Sequence, residues 1–451
     1  MNISLPHKVQ YIIDILYNEG YEAFAVGGCI RDSLLGKSPQ DWDITTSAFP
    51  DAVEKLFDKT IPTGIKHGTV TVIIEGEAFE VTTYRTDGTY INNRRPETVS
   101  FVSSLKEDLA RRDFTINALA YNTREGLKDY YSGIDDLNKR VIETVGNADI
   151  RFQEDALRLL RAVRFSCQLD FSLDPKTLLS IKNNSSLIKN ISKERIREEL
   201  NKILLSPKPS KGFLLLESTG LLKHILPEVQ EMVGMNQHNP HHDKDIFLHT
   251  LAVIDNSPRD ITLRLSALLH DIGKPRTFSI DKKGIGHFYG HDELGVSMTD
   301  AILKRLTYDN KTINLVKKLV KHHMLVFKES RSPVLKRTMA DLGKNNMKLL
   351  FSLQRADIKS SAPPFNLSAV DSLEEKTKKI IKDKDPIYIK DLNITGEDLV
   401  RELNIEPGKI VGEILNHLLD VVLERPFLNE ASELLKLSKL YYVHIQNKGR
   451  K

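Results

Sequence analysis

Two aspartates two positions apart, a glycine pair before them and a run of arginines after them are the residues best equipped for chemistry. The glycines open GGCIRDSLLG (Gly27–Gly36), and the aspartates lie in DWDI (Asp41–Ile44). In a strand, residues i and i+2 face the same way, so Asp41 and Asp43 are expected to project together with Trp42 on the opposite face. Two converging carboxylates suit a hard cation, because Mg²⁺ takes oxygen ligands and shares them with phosphates. Gly27 and Gly28 have no Cβ atoms, so a triphosphate can approach the backbone and the start of the following helix, where free N–H groups favour anions. Arg31 and Asp32 fall in that first turn. Phosphoryl transfer on two metal ions needs a third carboxylate. Glu80, opening EVTTYR, is the candidate; an exposed edge-strand glutamate is the plainer reading.

Further along, TDGTYINNRRPETV (Thr86–Val99) reads as a polar, mobile loop beside the site, followed by DLARRDFTINALAYN (Asp108–Asn122). Arg111 and Arg112, expected at a helix start, suit triphosphate oxygens, and Asp113 could cap that helix and orient an arginine. In FQEDALRLLRAVRF, with no Gly or Pro to interrupt it, Asp155, Arg158, Arg161 and Arg164 recur every third residue along one helix face. A carboxylate and a guanidinium together offer an acceptor and donors to the Watson–Crick edge of a base, which is what a template strand offers. Arg161 and Arg164 could then reach phosphates. Standing alone, the same stripe would be a salt-bridged surface helix.

Histidines mark a second place. Ten of the 14 lie between His224 and His323. FLHTLAVID and LSALLHDIGKP put His249 and the adjacent His270-Asp271 on apolar-periodic helices, with GHFYGHDELG, KHH and QRAD following. A buried His or Asp at a helix end is costly unless paired or metal-bound.

The elements that must hold these residues can be outlined. Val9, Ile12, Ile13 and Leu16 recur at helical spacing, Ala23–Val26 is a short buried strand, and Val70–Ile74, Gly76 and Phe79–Tyr84 form a β-hairpin. From about residue 150 the pattern is almost wholly helical, with joints at Gly146-Asn147, Ser206–Pro209, Asn239-Pro240 and Ser361–Pro364. The 451 residues, 40% hydrophobic and 28% charged, exclude a disordered or fibrous chain and allow several domains. A net charge of +4 identifies no nucleic-acid partner. Two cysteines (Cys29, Cys167), no signal-peptide pattern and no apolar run of membrane length point to a reducing, cytoplasmic setting without membrane contact.

In order, GGCIRD, DWDI, RRDFTINALAYN, EDALRLLRAVRF and KERIREEL (Lys193–Leu200) resemble the motif set of class II tRNA nucleotidyltransferases, the CCA-adding enzymes and their bacterial poly(A) polymerase relatives. The resemblance implies an α+β fold: a polymerase β-type head, a mixed sheet with helices, followed by all-α neck, HD and tail regions. The expected divisions are a nucleotidyltransferase head at 1–147, a helical neck with the nucleobase-reading helix at 148–235, an HD metal-binding domain at 236–360 and a tRNA-binding tail at 361–451. It further implies that Asp41 and Asp43 hold Mg²⁺, and that Gly28, Arg31 and Arg112 hold the triphosphate. Asp155 and Arg158 would read CTP and ATP, Arg161 and Arg164 would also touch nucleotide, and KERIREEL would support the reading helix. The partners implied are CTP, ATP and the 3′ end and acceptor arm of tRNA.

The histidine-rich middle resembles the HD phosphohydrolase superfamily. By that resemblance His249, His270, Asp271 and Asp357 form a primary metal quartet for a second divalent transition metal. His291 and His322 match additional ligands, with His287 and His323 as rivals for those places. The segment Lys390–Pro426 resembles the tail of bacterial CCA-adding enzymes. Addition of A only or CC only, polyadenylation, and an HD phosphohydrolase with a nucleotide-binding head stay open as alternatives. The oligomeric state is open too.

Overall fold

The first helix, α1 (His7–Asn18), buries Val9, Ile12, Ile13 and Leu16, the stripe its spacing announces. The computed structural model describes residues 3–448 apart from 89, 92, 94, 239–243 and 327–331. The Asn239-Pro240 joint therefore lies outside the described residues. Two compact units divide the chain, one ending at Gln230 and the other beginning at Glu231.

A seven-stranded mixed sheet forms the base of the first unit. Its strands are β1 (Ala23–Val26), β2 (Asp43–Thr46), β3 (Thr60–Gly64), β4 (Thr69–Ile74), β5 (Glu77–Thr83), β6 (Leu119–Asn122) and β7 (Gly126–Asp129), in the order β7-β6-β1-β2-β5-β4-β3. The β4–β5 hairpin is as expected. It closes through Glu75 and Gly76, both at positive φ (50° and 83°), the two-residue turn whose twist matches the strands. β2 runs parallel to β5 and antiparallel to β1. Gly27, at φ 85°, then turns the chain out of β1 into α2 (Gly28–Leu34). The fold class is the α+β arrangement expected of the sequence.

Beyond the sheet the unit is helical, including α3 (Ala148–Glu154), α4 (Leu157–Leu169) and α5 (Lys193–Leu204). One expectation fails here, since FQEDALRLLRAVRF is two helices. Asp155 is extended (φ −131°, ψ 104°), its carboxylate accepts the Leu157 N–H at 3.1 Å, and the Ala156 N–H is taken by the Asn93 carbonyl at 2.9 Å. An aspartate beside a helix start competes for backbone N–H groups, and here that competition ends one helix and begins the next. The Thr86–Val99 segment also differs from a plain loop. Arg85–Asp87 pairs with Val99–Phe101, and Tyr90–Ile91 with Arg95–Pro96, in two short ladders.

The second unit is built mainly of helices. They include α6 (Ile246–Asn256), α7 (Ile261–Leu269), α8 (His291–Arg305), α9 (Asn310–His322) and α10 (Met347–Ser360), and further on α11 (Gly396–Leu403), α12 (Lys409–Glu424) and α13 (Ala431–Lys448). Leu399, Ile414, Leu418, Val422 and Leu434 form the core of the last three. Among the described residues no helix is long and apolar enough to cross a membrane.

Gly133 begins the helix Gly133–Lys139 that backs the 3₁₀ turn Thr115–Asn117; a Cβ there would lie 2.3 Å from the Thr115 carbonyl oxygen. Gly133→Ala should therefore destabilise the chain by about 1–3 kcal/mol, read as a lowered urea midpoint.

Candidate nucleotide-transfer site and a buried histidine cluster

β2 begins at Asp43, so Asp41 sits in the approach to the strand rather than in it, and the strand-alternation argument holds only for Asp43. The two are still electrostatic neighbours. Loss of solvent raises the Asp43 carboxyl above its ordinary range, Arg112 opposes the rise and the charge of Asp41 adds to it. Charge crowding of this kind is what a bound cation relieves. Ile44 pairs with Val81 across the parallel ladder, so Glu80 stands one step away beside Asp43 on an exposed stretch of β5. The three carboxylates offer hard oxygen donors, a donor set that fits Mg²⁺.

Arg112 faces this group from the turn after the helix Leu105–Ala110, which corrects the expectation of a helix start. Its Nη1 donates to the Asn117 carbonyl at 3.5 Å and lies 2.7 Å from where a Gly27 Cβ would be. The glycine is thus needed both for its positive φ and for the guanidinium packed against it. Among the described residues Arg112 Nε is buried with no hydrogen-bond partner, a donor suited to an anion. Arg31, on α2, donates to Asn117 Oδ1 at 2.6 Å and pairs with Asp32 at 2.8 Å. The carbonyl of Asn117 meets Arg112 and its side chain meets Arg31, a role not read from the sequence. Its position four residues after Asp113 was the available signal, because Asn117 Nδ2 donates to Asp113 Oδ1 at 3.1 Å.

The arginine stripe is clamped from outside its own helix. Arg161 donates to Asp113 Oδ2 at 2.6 Å; burial raises the Asp113 carboxyl, but Arg161 and its other donors bring it down to about 2. Arg164 pairs with the buried Glu199 of α5 at 2.9 Å, and burial draws its guanidinium down to about 10. Arg158 pairs with Glu154 and donates to the Arg111 carbonyl at 2.9 Å. Asp155 receives both terminal nitrogens of Arg195, at 3.2 and 2.7 Å. KERIREEL thus holds both ends of the Asp155–Arg164 segment through two of its residues, which the motif alone does not single out.

In the second unit α6, α7, α8 and the turns after α7 and α9 bring His249, His270, Asp271, His291 and His323 together. Two groups form, His249–His270–Asp271 and Asp271–His291–His323, each with its ligand atoms within 4.8 Å of one another. His249 Nε2 also meets Asp357 Oδ1 of α10 at 3.0 Å. The Nδ1 atoms of His270, His291 and His323 meet the carbonyls of Ala267, Phe288 and Val320 at 2.8, 2.8 and 2.6 Å. A ring donating from Nδ1 keeps the Nε2 lone pair for a metal. His270 Nε2 and Asp271 Oδ2 are both buried and lie 3.1 Å apart. Burial works against the Asp271 carboxylate, yet His270 and Lys274 hold it well below the carboxylate range. Burial and the neighbouring His270 lower His323 to about 4. The donor set fits one or two divalent cations sharing Asp271.

Of the rival histidines, His323 joins the cluster and His322 does not: His322 is turned to Asp341 at 2.8 Å, while His287 pairs with Asp281 at 3.0 Å. Position 323 follows the last residue of α9, so its ring turns to the other side of the helix end. Lys274, whose Nζ lies 2.7 Å from Asp271 Oδ2 and 3.0 Å from Gln237 Oε1, is an addition to the expected set.

A mixed sheet with an acid pair at a strand start, facing an arginine and a glycine turn, defines a nucleotidyltransferase head. The profile for the Poly A polymerase head domain matches residues 23–143, that for the RNA and SrmB-binding site of polymerase A matches 170–232, and that for tRNA nucleotidyltransferase domain 2 matches 293–437. A CCA-adding enzyme of Lactobacillus johnsonii is 51% identical over 225 residues, a match spanning 49% of this chain and 56% of that relative. Over that match the chain spans about half the length of the relative. A CCA-adding enzyme of Limosilactobacillus reuteri is 34% identical over 425 residues, 94% of each. The crystal structure of the Bacillus stearothermophilus CCA-adding enzyme in complex with CTP superposes at a TM-score of 0.75, 28% identical, covering 99% of this chain and 100% of that one. The chain belongs to the CCA-adding enzyme family.

The histidine geometry makes a direct prediction. His323→Ala should lower the Mn²⁺ retained by the full chain after dialysis, while His322→Ala should retain the wild-type amount, both measured by mass spectrometry of the metal.

Proposed function

We propose that the chain adds C, C and A to the 3′ end of tRNA from CTP and ATP, without a nucleic-acid template. The observation that carries this reading is the placement of Arg112, which faces Asp43 while its Nη1 fills the space over Gly27. One guanidinium thereby ties the acid pair to the turn where a triphosphate would enter. Asp41, Asp43 and Glu80 would hold Mg²⁺, which when bound supplies a more acidic 3′-hydroxyl and neutralises the departing pyrophosphate. The first turn of α2, from Gly28, with Arg31 and Arg112, would orient the triphosphate so that the hydroxyl attacks in line. Asp155 and Arg158, fixed at the α3–α4 break, would present an acceptor and donors to the base edge, with Arg161 and Arg164 toward the phosphates.

The tRNA 3′ end and acceptor arm, with CTP and ATP, are the partners this reading assigns. The division at 1–147, 148–235, 236–360 and 361–451 into head, neck, HD region and tRNA-binding tail belongs to the same proposal, as does a cytoplasmic setting. A-only addition, CC-only addition and polyadenylation are the variants to separate from it.

The His249–His270–Asp271–Asp357 cluster with His291 and His323 favours a second reading: a metal-dependent HD phosphohydrolase active beside the transferase. There a divalent transition metal would activate water against a phosphate ester. No step of nucleotide addition uses these histidines.

A tRNA ending before its CCA should be extended by CTP alone and extended fully only with CTP and ATP together, read by sequencing the products. Addition of A without prior C would point to polyadenylation, whereas no extension of this tRNA together with extension by ATP of a tRNA ending in CC would make the chain an A-adding enzyme. Asp41→Ala should reduce addition by at least about 100-fold, by loss of charge stabilisation at the reacting phosphate, and spare phosphate-ester hydrolysis. His270→Ala should do the reverse.

A further inference from the structure

We infer that Phe165 is a positioning residue whose ring gathers Arg31, Arg161 and Arg164 into one cradle for the triphosphate of the incoming nucleotide. The inference rests on the reading that these arginines meet nucleotide. Their guanidinium carbons stand 5.0, 5.3 and 4.1 Å from the centroid of this single ring. Helical spacing sets Arg161 and Arg164 beside Phe165 on α4, whereas Arg31 comes from α2 and reaches the same ring only through the fold. The ring is 5% exposed and is itself fixed edge-on to Phe114, with centroids 5.7 Å apart.

Three like charges gathered around one buried ring would separate if nothing held them. Each has its own acid: Asp32 for Arg31, Asp113 for Arg161 and Glu199 for Arg164. Those acids stand on three different segments, α2, the turn at Asp113 and α5. The only group that all three guanidinium groups share among these contacts is the face and edge of Phe165, and an aromatic face is electron-rich. An aliphatic side chain of equal size would fill the volume but would not attract the cations. A cradle preformed in this way spares a triphosphate the cost of collecting three flexible side chains.

The test varies the ring's charge distribution and keeps its shape. Phe165 is replaced, by site-specific incorporation, with monofluoro-, difluoro- and trifluorophenylalanine, and CTP addition to tRNA lacking CCA is measured with each full-length chain. Across the series the KM for CTP should rise stepwise to about fivefold, with kcat and the melting temperature held near wild type. A KM that stays flat through the series, or a KM that changes only in step with the melting temperature, overturns the proposal and leaves Phe165 a packing residue. A wild-type chain that transfers no CMP contradicts the nucleotide-transfer reading itself, and the proposal with it.

Discussion

A guanidinium withdrawn from water must be paired, and in the first unit this constraint shapes the whole proposed site. Arg161 is answered by Asp113, Arg164 by Glu199, and Asp155 by Arg195. The three pairs cross between segments far apart in the chain, so the turn at Asp113, the Asp155–Arg164 segment and α5 are held in one mutual arrangement. Removing one member of a buried pair leaves an uncompensated charge, which costs more than the pair contributes. Folding and site geometry are therefore enforced by the same contacts. The groups that would meet substrate are set before substrate arrives, which is the condition for charge stabilisation without reorganisation.

How much of this could be read from the residues depends on how local each feature is. The α1 stripe, strand Ala23–Val26 and the β4–β5 hairpin are set by short-range periodicity and turn chemistry, and they stand where expected. The break at Asp155 was hidden, because it depends on Asn93, some sixty positions earlier, accepting the Ala156 N–H. The paired strands within Thr86–Val99 were hidden for a similar reason. A polar, glycine-containing segment carries no alternation of its own, and its pairing partners are supplied by the fold.

The candidate site shows the same division. Asp41, Asp43 and the arginine stripe were recognisable as residue types at a spacing. Arg195 and Glu199 act by reaching across the fold, and their motif does not by itself single them out; Asn117 offered only its spacing from Asp113. In the second unit, adjacency left His322 and His323 indistinguishable. A rotation of about 100° per residue around a helix end sends one to Asp341 and the other to the buried histidine cluster.

The two proposed sites differ in the donors they offer. Carboxylates and arginines suit a hard cation and a polyphosphate, whereas buried imidazoles that turn their Nε2 atoms toward one shared carboxylate suit a transition metal. The central claim is that a protein clamp fixes the residues that read the base. Competition between CTP and UTP in Arg195→Ala, compared with wild type and Arg195→Lys, tests it most directly. Selectivity for CTP should fall in Arg195→Ala with transfer itself retained, and the lysine should restore part of it. Unchanged selectivity in Arg195→Ala would show that the bidentate hold on Asp155 does not govern the choice of base.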